Sequence, residues 1–149
     1  MLTNKGKYGL KAMLHLARLE PGSSAMGAEI ASANNIPKKF LDAILLELRN
    51  AGMVRSKKGP GGGYGLSRHP RDIRIGHIIR TLDGPLAPLS CASKSAYVPC
   101  QDCQDLESCA VRITMSKVRD AMSDILDGMS LHDMIVFGKT PNADLMYNI

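Results

Sequence analysis

Aromatic residues are nearly absent: the 149-residue chain has two phenylalanines, four tyrosines and no tryptophan. At this length the chain can bury a real core, so disulfides are not needed to hold it together. Long apolar runs are missing too. The opening stretch, MLTNKGKYGLKAMLHLARLE, carries charges throughout and lacks the apolar core of a signal peptide. No segment approaches the length needed to cross a bilayer, so no membrane partner is expected and a cytoplasmic, reducing setting is. Acidic residues are scarce in the first half. Residues 1–80 carry 14 Lys+Arg against 5 Asp+Glu, a net of +9, whereas residues 81–149 carry 5 against 9, a net of −4. A basic first half suits a polyanion, and the acidic remainder suits a different task. No nucleophile–base pair, paired carboxylates or cofactor-cradling loop is present, so an enzyme is not expected.

What is present first is helical periodicity. Leu10, Met13, Leu14 and Ala17 recur at the spacing of one helix face, and PGSS at 21–24 ends that helix. GAEIASA forms a short second helix, and Asn34-Asn35-Ile36-Pro37 a tight connection, with Pro37 suited to a helix start. KKFLDAILLELRNAG then buries Leu41, Ile44, Leu45 and Leu48 and stops at Gly52. Helix, tight turn, helix is the arrangement that sets a second helix in a DNA major groove. Next, MVRSKK and YGLSR read as two short strands joined by GPGGG, a basic hairpin. A basic hairpin after a helix-turn-helix makes a wing, whose glycines let backbone approach phosphates while Lys57 and Lys58 supply charge. The same glycines fail the spacing of dinucleotide-binding and P-loop motifs. Ile75, Ile78, Ile79 and Leu82 mark a further core helix that ends at Asp83-Gly84-Pro85.

All four cysteines fall in CASKSAYVPCQDCQDLESC, residues 91–109, spaced C-x8-C-x2-C-x5-C. Two separated C-x2-C knuckles, as in a zinc ribbon, are lacking. Irregular thiolate spacing suits an iron–sulfur cluster; zinc and free or redox-active thiols remain open on chemistry alone. Beyond them Val111, Met115, Val118, Met122, Ile125 and Met129 form a heptad seam, widened by Ala121 and Leu126. Such a seam buries itself against the rest of the chain or pairs with a second copy. Ser130 with Asp133 signals the start of a last short helix, and the tail from Gly138 looks frayed.

LTNKGKYGLKAM, IPKKFLDAILLELRNAGMVRSKKGPGGGYGLSR, the cysteine loop and the long helix together resemble the IscR/NsrR/RirA-type family of winged helix-turn-helix iron–sulfur regulators, over residues 1–137. The resemblance implies a homodimeric bacterial transcription regulator that binds a pseudo-palindromic stretch of double-stranded DNA. It implies an iron–sulfur cluster, of the 2Fe–2S or 4Fe–4S type, near the dimer interface, sensing redox, iron or nitric oxide status. On the family register Cys91, Cys103 and Cys109 are the matched ligands, with Cys100 a fourth ligand or a neighbouring thiol. The sequence departs from the family at Arg112, where the cluster-assembly branch has a ligating histidine. It departs again in residues 1–19, which lack the carboxylate that the nitric-oxide branch takes from its first helix.

The expectation is thus a mainly α fold with a small β-hairpin, divided into a winged helix-turn-helix (1–84), a cysteine loop (85–110), a dimerisation helix with a short final helix (111–137) and a tail (138–149). Lys38, Lys39, Asp42 and Ala43 on the outer side of the recognition helix, Thr3, Lys5 and Lys7 at the start of the first helix, and Lys57, Lys58, Gly59, Pro60, Gly61, Gly62 and Gly63 in the wing are the DNA-contact candidates. The alternatives are a winged-helix regulator with a zinc site or a thiol redox switch, and an interaction adaptor that no longer binds DNA.

Overall fold

The computed structural model describes residues 2–139. Six helices and one hairpin follow in order: α1 (Asn4–Ala17), α2 (Gly27–Asn34), α3 (Lys38–Asn50), β1 (Val54–Lys57), β2 (Gly63–Leu66), α4 (Ile75–Asp83), α5 (Ala110–Gly128) and α6 (Leu131–Lys139). The mainly helical fold with one antiparallel hairpin agrees with the expectation from sequence.

Local signals explain the boundaries. The Thr3 side chain accepts a hydrogen bond from the Gly6 N–H and so caps α1. Asn35, in the left-handed region at φ 52°, closes α2 and turns the chain into α3. Ser130 and Asp133 cap α6 reciprocally: each side chain accepts from the other's backbone N–H. α6 runs to Lys139, two residues past the expected limit at 137, and the rest of the expected tail lies outside the described residues.

The core is made of aliphatic and methionine side chains. Met13, Ile30, Leu41, Ile44, Leu45, Leu48, Met53, Ile73 and Ile78 are fully buried, whereas Phe40 and Phe137 are 58% and 59% exposed. α1 and α4 pack closely because Gly9 offers no side chain at their crossing; a Cβ there would lie 2.0 Å from Leu82 Cδ1. The register of the hairpin pairs Val54 with Leu66 and Lys57 with Gly63. A backbone bridge between Ala25 and Tyr64, with N···O distances of 2.8 and 2.9 Å, ties the wing to the segment before α2.

One feature of the core is not contiguous in sequence. Leu131, after the long helix, is fully buried among residues of α1–α4, and its N–H donates to the Ile73 carbonyl at 2.9 Å. The Ile75 N–H donates to the Met129 carbonyl at 3.0 Å, and Arg80 and Asp127 form a two-pronged ion pair at 2.6 and 2.8 Å. The end of α5 is therefore bolted to α4. Leu131→Ala leaves a cavity at this junction and is expected to lower unfolding stability by about 2–5 kcal/mol, measured by denaturant titration.

Candidate nucleic-acid interface and cysteine loop

The recognition helix α3 presents one buried and one exposed face. Leu41, Ile44, Leu45 and Leu48 hold it in the core, so Lys38, Lys39, Asp42 and Ala43 are exposed together at its N-terminal half. Lys38 Nζ meets Asp42 Oδ1 at 2.6 Å, an i,i+4 pair that presents a donor and an acceptor side by side. Phe40, not singled out from the sequence, stands exposed in the same turn and offers the kind of apolar contact made with a thymine methyl. An apolar residue out of phase with the buried face was the available signal.

The wing follows α3, and Arg49 near the end of that helix donates to Ser56 of β1 at 3.3 Å. Gly59 and Gly61 have φ of 92° and 71°, a backbone that side chains disfavour. At Gly62 and Gly63 space is limiting as well: a Cβ would lie 2.3 Å from the Lys57 carbonyl oxygen and 2.4 Å from that of Ala25. Lys57 and Lys58 are exposed and, like Lys39, in no ion pair among the described residues. The start of α1 is more occupied. Thr3 caps its helix and also donates its N–H to Asp83, Lys5 pairs with Glu47 at 2.7 Å, and Lys7 lies over the Tyr8 ring.

The cysteine loop leads from α4 into α5. Cys91 is buried; Cys100, Cys103 and Cys109 are half-exposed. The Cys100 thiol donates to Asp102 Oδ1 at 2.9 Å, and the ligand atoms of Cys100, Asp102 and Cys103 lie within 4.8 Å of one another. Hydrogen bonding to the Asp102 carboxylate, then to Cys103, pushes the Cys100 thiol up to about 12. The Cys103 thiol is raised on balance: its neighbour Cys100 lowers it, while Cys109 and the Asp102 carboxylate raise it. Cys109 is lowered, first by the Arg112 backbone N–H that points at its sulfur. Two thiols, Cys100 and Cys103, thus sit together beside Asp102.

Arg112 organises the loop around them. Its Nε donates to the Cys91 carbonyl at 2.8 Å and a terminal nitrogen donates to the Leu106 carbonyl at 3.2 Å. Arg112 thus ties the backbone at Cys91 to the start of α5, and Arg119 adds a hydrogen bond to the neighbouring Ala92 carbonyl. The sequence marked Arg112 only as a residue unable to ligate; its role as the clamp between loop and helix appears only in three dimensions. Soft thiols this closely grouped fit a thiolate-binding metal or cluster, iron–sulfur and zinc alike.

α5 carries the heptad seam, and no residue of it is buried. Val111, Val118 and Ile125 are 61%, 40% and 61% exposed, with Met115 and Met122 half-buried between them. Met129, counted in the seam from its spacing, instead packs on the chain's own core together with Leu126. The rest of the seam is uncovered within one chain.

A helix-turn-helix with a glycine-rich basic wing, followed by a cysteine loop and a long helix, is the build of a DNA-binding transcription regulator. Residues 2–136 match the Rrf2 family of iron-dependent transcriptional regulators, and the chain belongs to that family. It is 44% identical to an Rrf2-like HTH-type transcriptional regulator of Rhodobacter capsulatus, covering 98% of this chain and 99% of the relative. Among solved structures it is similar to CymR, the global cysteine regulator of Bacillus subtilis, with TM-score 0.76 and 33% identity over 92% of this chain and 97% of that one. It is also similar to IscR of T. potens, with TM-score 0.72 and 28% identity over 99% and 96% of the two chains. Among the described residues no helix is long and apolar enough to cross a membrane.

Proposed function

We propose that this regulator acts as a homodimer whose hold on duplex DNA is set by an iron–sulfur cluster in the 91–109 loop, in response to redox, iron or nitric oxide status. The observation that carries this reading is the grouping of the Cys100 and Cys103 thiols beside Asp102, in a loop that Arg112 clamps to the root of a helix with an uncovered apolar face. Cys91, Cys103 and Cys109 would hold the cluster as the family register implies, and Cys100, which lies beside Cys103, would be the fourth ligand. When bound, the cluster supplies a group that oxidants, iron loss or nitric oxide can alter. The chain's own residues carry the consequence. Arg112 and Arg119 hold the loop to α5, and Asp127 with the Met129 carbonyl holds α5 to α4 and so to the winged module.

On DNA, Lys38, Lys39, Phe40, Asp42 and Ala43 enter the major groove, while Lys57, Lys58 and the backbone of Gly59–Gly63 meet the sugar-phosphate. Each phosphate neutralised contributes about −0.9 to the slope of log affinity against log salt. The Lys57→Ala/Lys58→Ala double variant is therefore expected to weaken binding to every sequence and to lower that slope by about two. Asp42→Ala should alter sequence preference instead, since a carboxylate accepts from a cytosine amino group. An unchanged slope in the double variant, measured by fluorescence anisotropy across salt concentrations, would remove the wing from the interface.

A thiol switch is the second reading, favoured by the closeness of the Cys100 and Cys103 thiols and by similarity to a cysteine regulator. Iron, zinc and acid-labile sulfide assays on anaerobically purified protein separate the readings. Iron with sulfide and visible absorbance supports the cluster. Stoichiometric zinc, or metal-free protein whose DNA affinity follows thiol oxidation, replaces it.

A further inference from the structure

A second concavity lies apart from both the DNA-facing surface and the cysteine loop. It is a cleft of about 950 Å³ between the end of α1, the base of the wing and α6. None of its lining residues belongs to α3, to the wing tip or to the 91–109 loop. Its size is that of a small-molecule site, typically about 300–1,000 Å³.

The lining has two halves. Leu16, Leu19, Leu66 and Ile135 give it an apolar floor, with Leu16 buried and the others partly so. Arg18, Arg55, Arg68, Arg71 and Lys139 stand around it with Glu20 as the one carboxylate in the lining. Arg55 is committed, donating to the Gly22 and Leu66 carbonyls at 2.9 and 3.1 Å. Arg18, Arg68, Arg71 and Lys139 are not in an ion pair among the described residues. This contrasts with Arg80 and Arg119, each of which has a carboxylate within 2.8 Å.

Cations collected around one hollow repel each other, and low-dielectric walls concentrate their field on whatever enters. An anion relieves that repulsion. A bare inorganic anion would leave the apolar floor in water, and an organic cation would be rejected by the rim. We propose that this cleft is a binding site for a small organic anion, a carboxylate or phosphate borne on an apolar body. The head pairs with Arg18, Arg68 and Arg71, where planar guanidinium groups give two-pronged contacts. The apolar body lies against Leu19, Leu66 and Ile135. A ligand seated there touches the base of the wing and α6 at once.

The test uses the full-length chain and three probes by calorimetric titration: sodium octanoate, octylammonium chloride and inorganic phosphate. Octanoate is expected to saturate at one site per chain, phosphate to bind at least about tenfold more weakly, and octylammonium not to bind. In amide-resolved NMR, octanoate should shift Leu66–Arg71 and Ile135–Lys139. Arg18→Gln/Arg71→Gln, and separately Arg68→Glu, should each weaken octanoate by about tenfold or more, since each removes a charge-assisted contact to the carboxylate head. Equal binding of octylammonium, or shifts centred on α5, would reduce the cleft to one apolar surface among others and overturn the proposal. So would variants that bind octanoate normally but lose DNA affinity, because the cations would then serve the nucleic acid. The cluster and wing readings stand or fall independently, since neither uses these residues.

Discussion

Cys103→Ser protein prepared without oxygen is expected to emerge colourless, without acid-labile sulfide, and with its affinity for duplex DNA changed by about 5- to 150-fold, the usual range of coupling between two sites. The Cys103 thiol lies within 4.8 Å of the Cys100 thiol and of the Asp102 carboxylate, and it is one of the ligands that the family register implies. Serine keeps the size and the hydrogen bonds but not the soft thiolate that iron and zinc require. Cys103 is half-exposed and outside the core, so circular dichroism and thermal unfolding of the metal-free forms should match. That makes the residue a cleaner probe than Cys91, which is buried and whose replacement could disturb the fold. Cys100→Ser decides the remaining ligand: loss of colour makes it the fourth, and a retained spectrum makes it a neighbour. A Cys103→Ser protein that keeps full iron, sulfide and colour would move the cluster out of this loop.

The second large effect concerns α5. Ile125→Lys is expected to convert a dimer into a folded monomer and to cost most of the affinity for a two-half-site operator. Ile125 is 61% exposed within one chain, so lysine there leaves the single subunit undisturbed. Across a dimer interface the same ammonium would be desolvated without a partner, at several kcal/mol per subunit. Two half-sites bound by one dimer lie one turn of DNA apart, so a monomer forfeits the second contact. Met122 is a poorer choice, because it is half-buried already and its replacement could act on the monomer. Sedimentation velocity gives the outcome. An Ile125→Lys protein that still sediments as a dimer would place the interface elsewhere, and the apolar face of α5 would need another cover.

Between these two sites runs a mechanical connection made of ordinary contacts. Arg112 and Arg119 fasten the cysteine loop to α5, and the far end of α5 is fastened to α4 through Asp127 and Met129. Arg80 holds the Asp127 carboxyl below the usual range, chiefly through their hydrogen bonds. This pair is partly exposed, so its contribution is modest, about 0.2–1 kcal/mol. By linkage that contribution is present above the ordinary carboxylate pKa and fades as pH falls through the lowered one.

The sequence by itself determined the helix-turn-helix and the wing. Each was written in local terms: a 3.6-residue period in α3, Asn35 and Pro37 at the turn, and glycines where the hairpin tip demands a backbone that side chains disfavour. It also determined that the thiols are gathered, since spacing along the chain is a local property. Only the tertiary structure decided which residues are spent and which are free. Lys5 and Lys39 read alike in the sequence, yet Glu47 neutralises the first, because that contact joins residues 42 positions apart. The seam of α5 fitted both an inward and an outward face by periodicity; the anchoring of Leu131 in the core turned Leu126 and Met129 inward and left Val111, Val118 and Ile125 in solvent. Arg112 became a clamp, and Arg18, Arg68, Arg71 and Lys139 became one cationic rim, because packing α6 against α1 brings together charges that the chain keeps up to 121 residues apart. Periodicity fixes which face of a helix is apolar. What meets that face, and which charges find partners, follows from contacts between distant segments, and these exist only once the chain is folded.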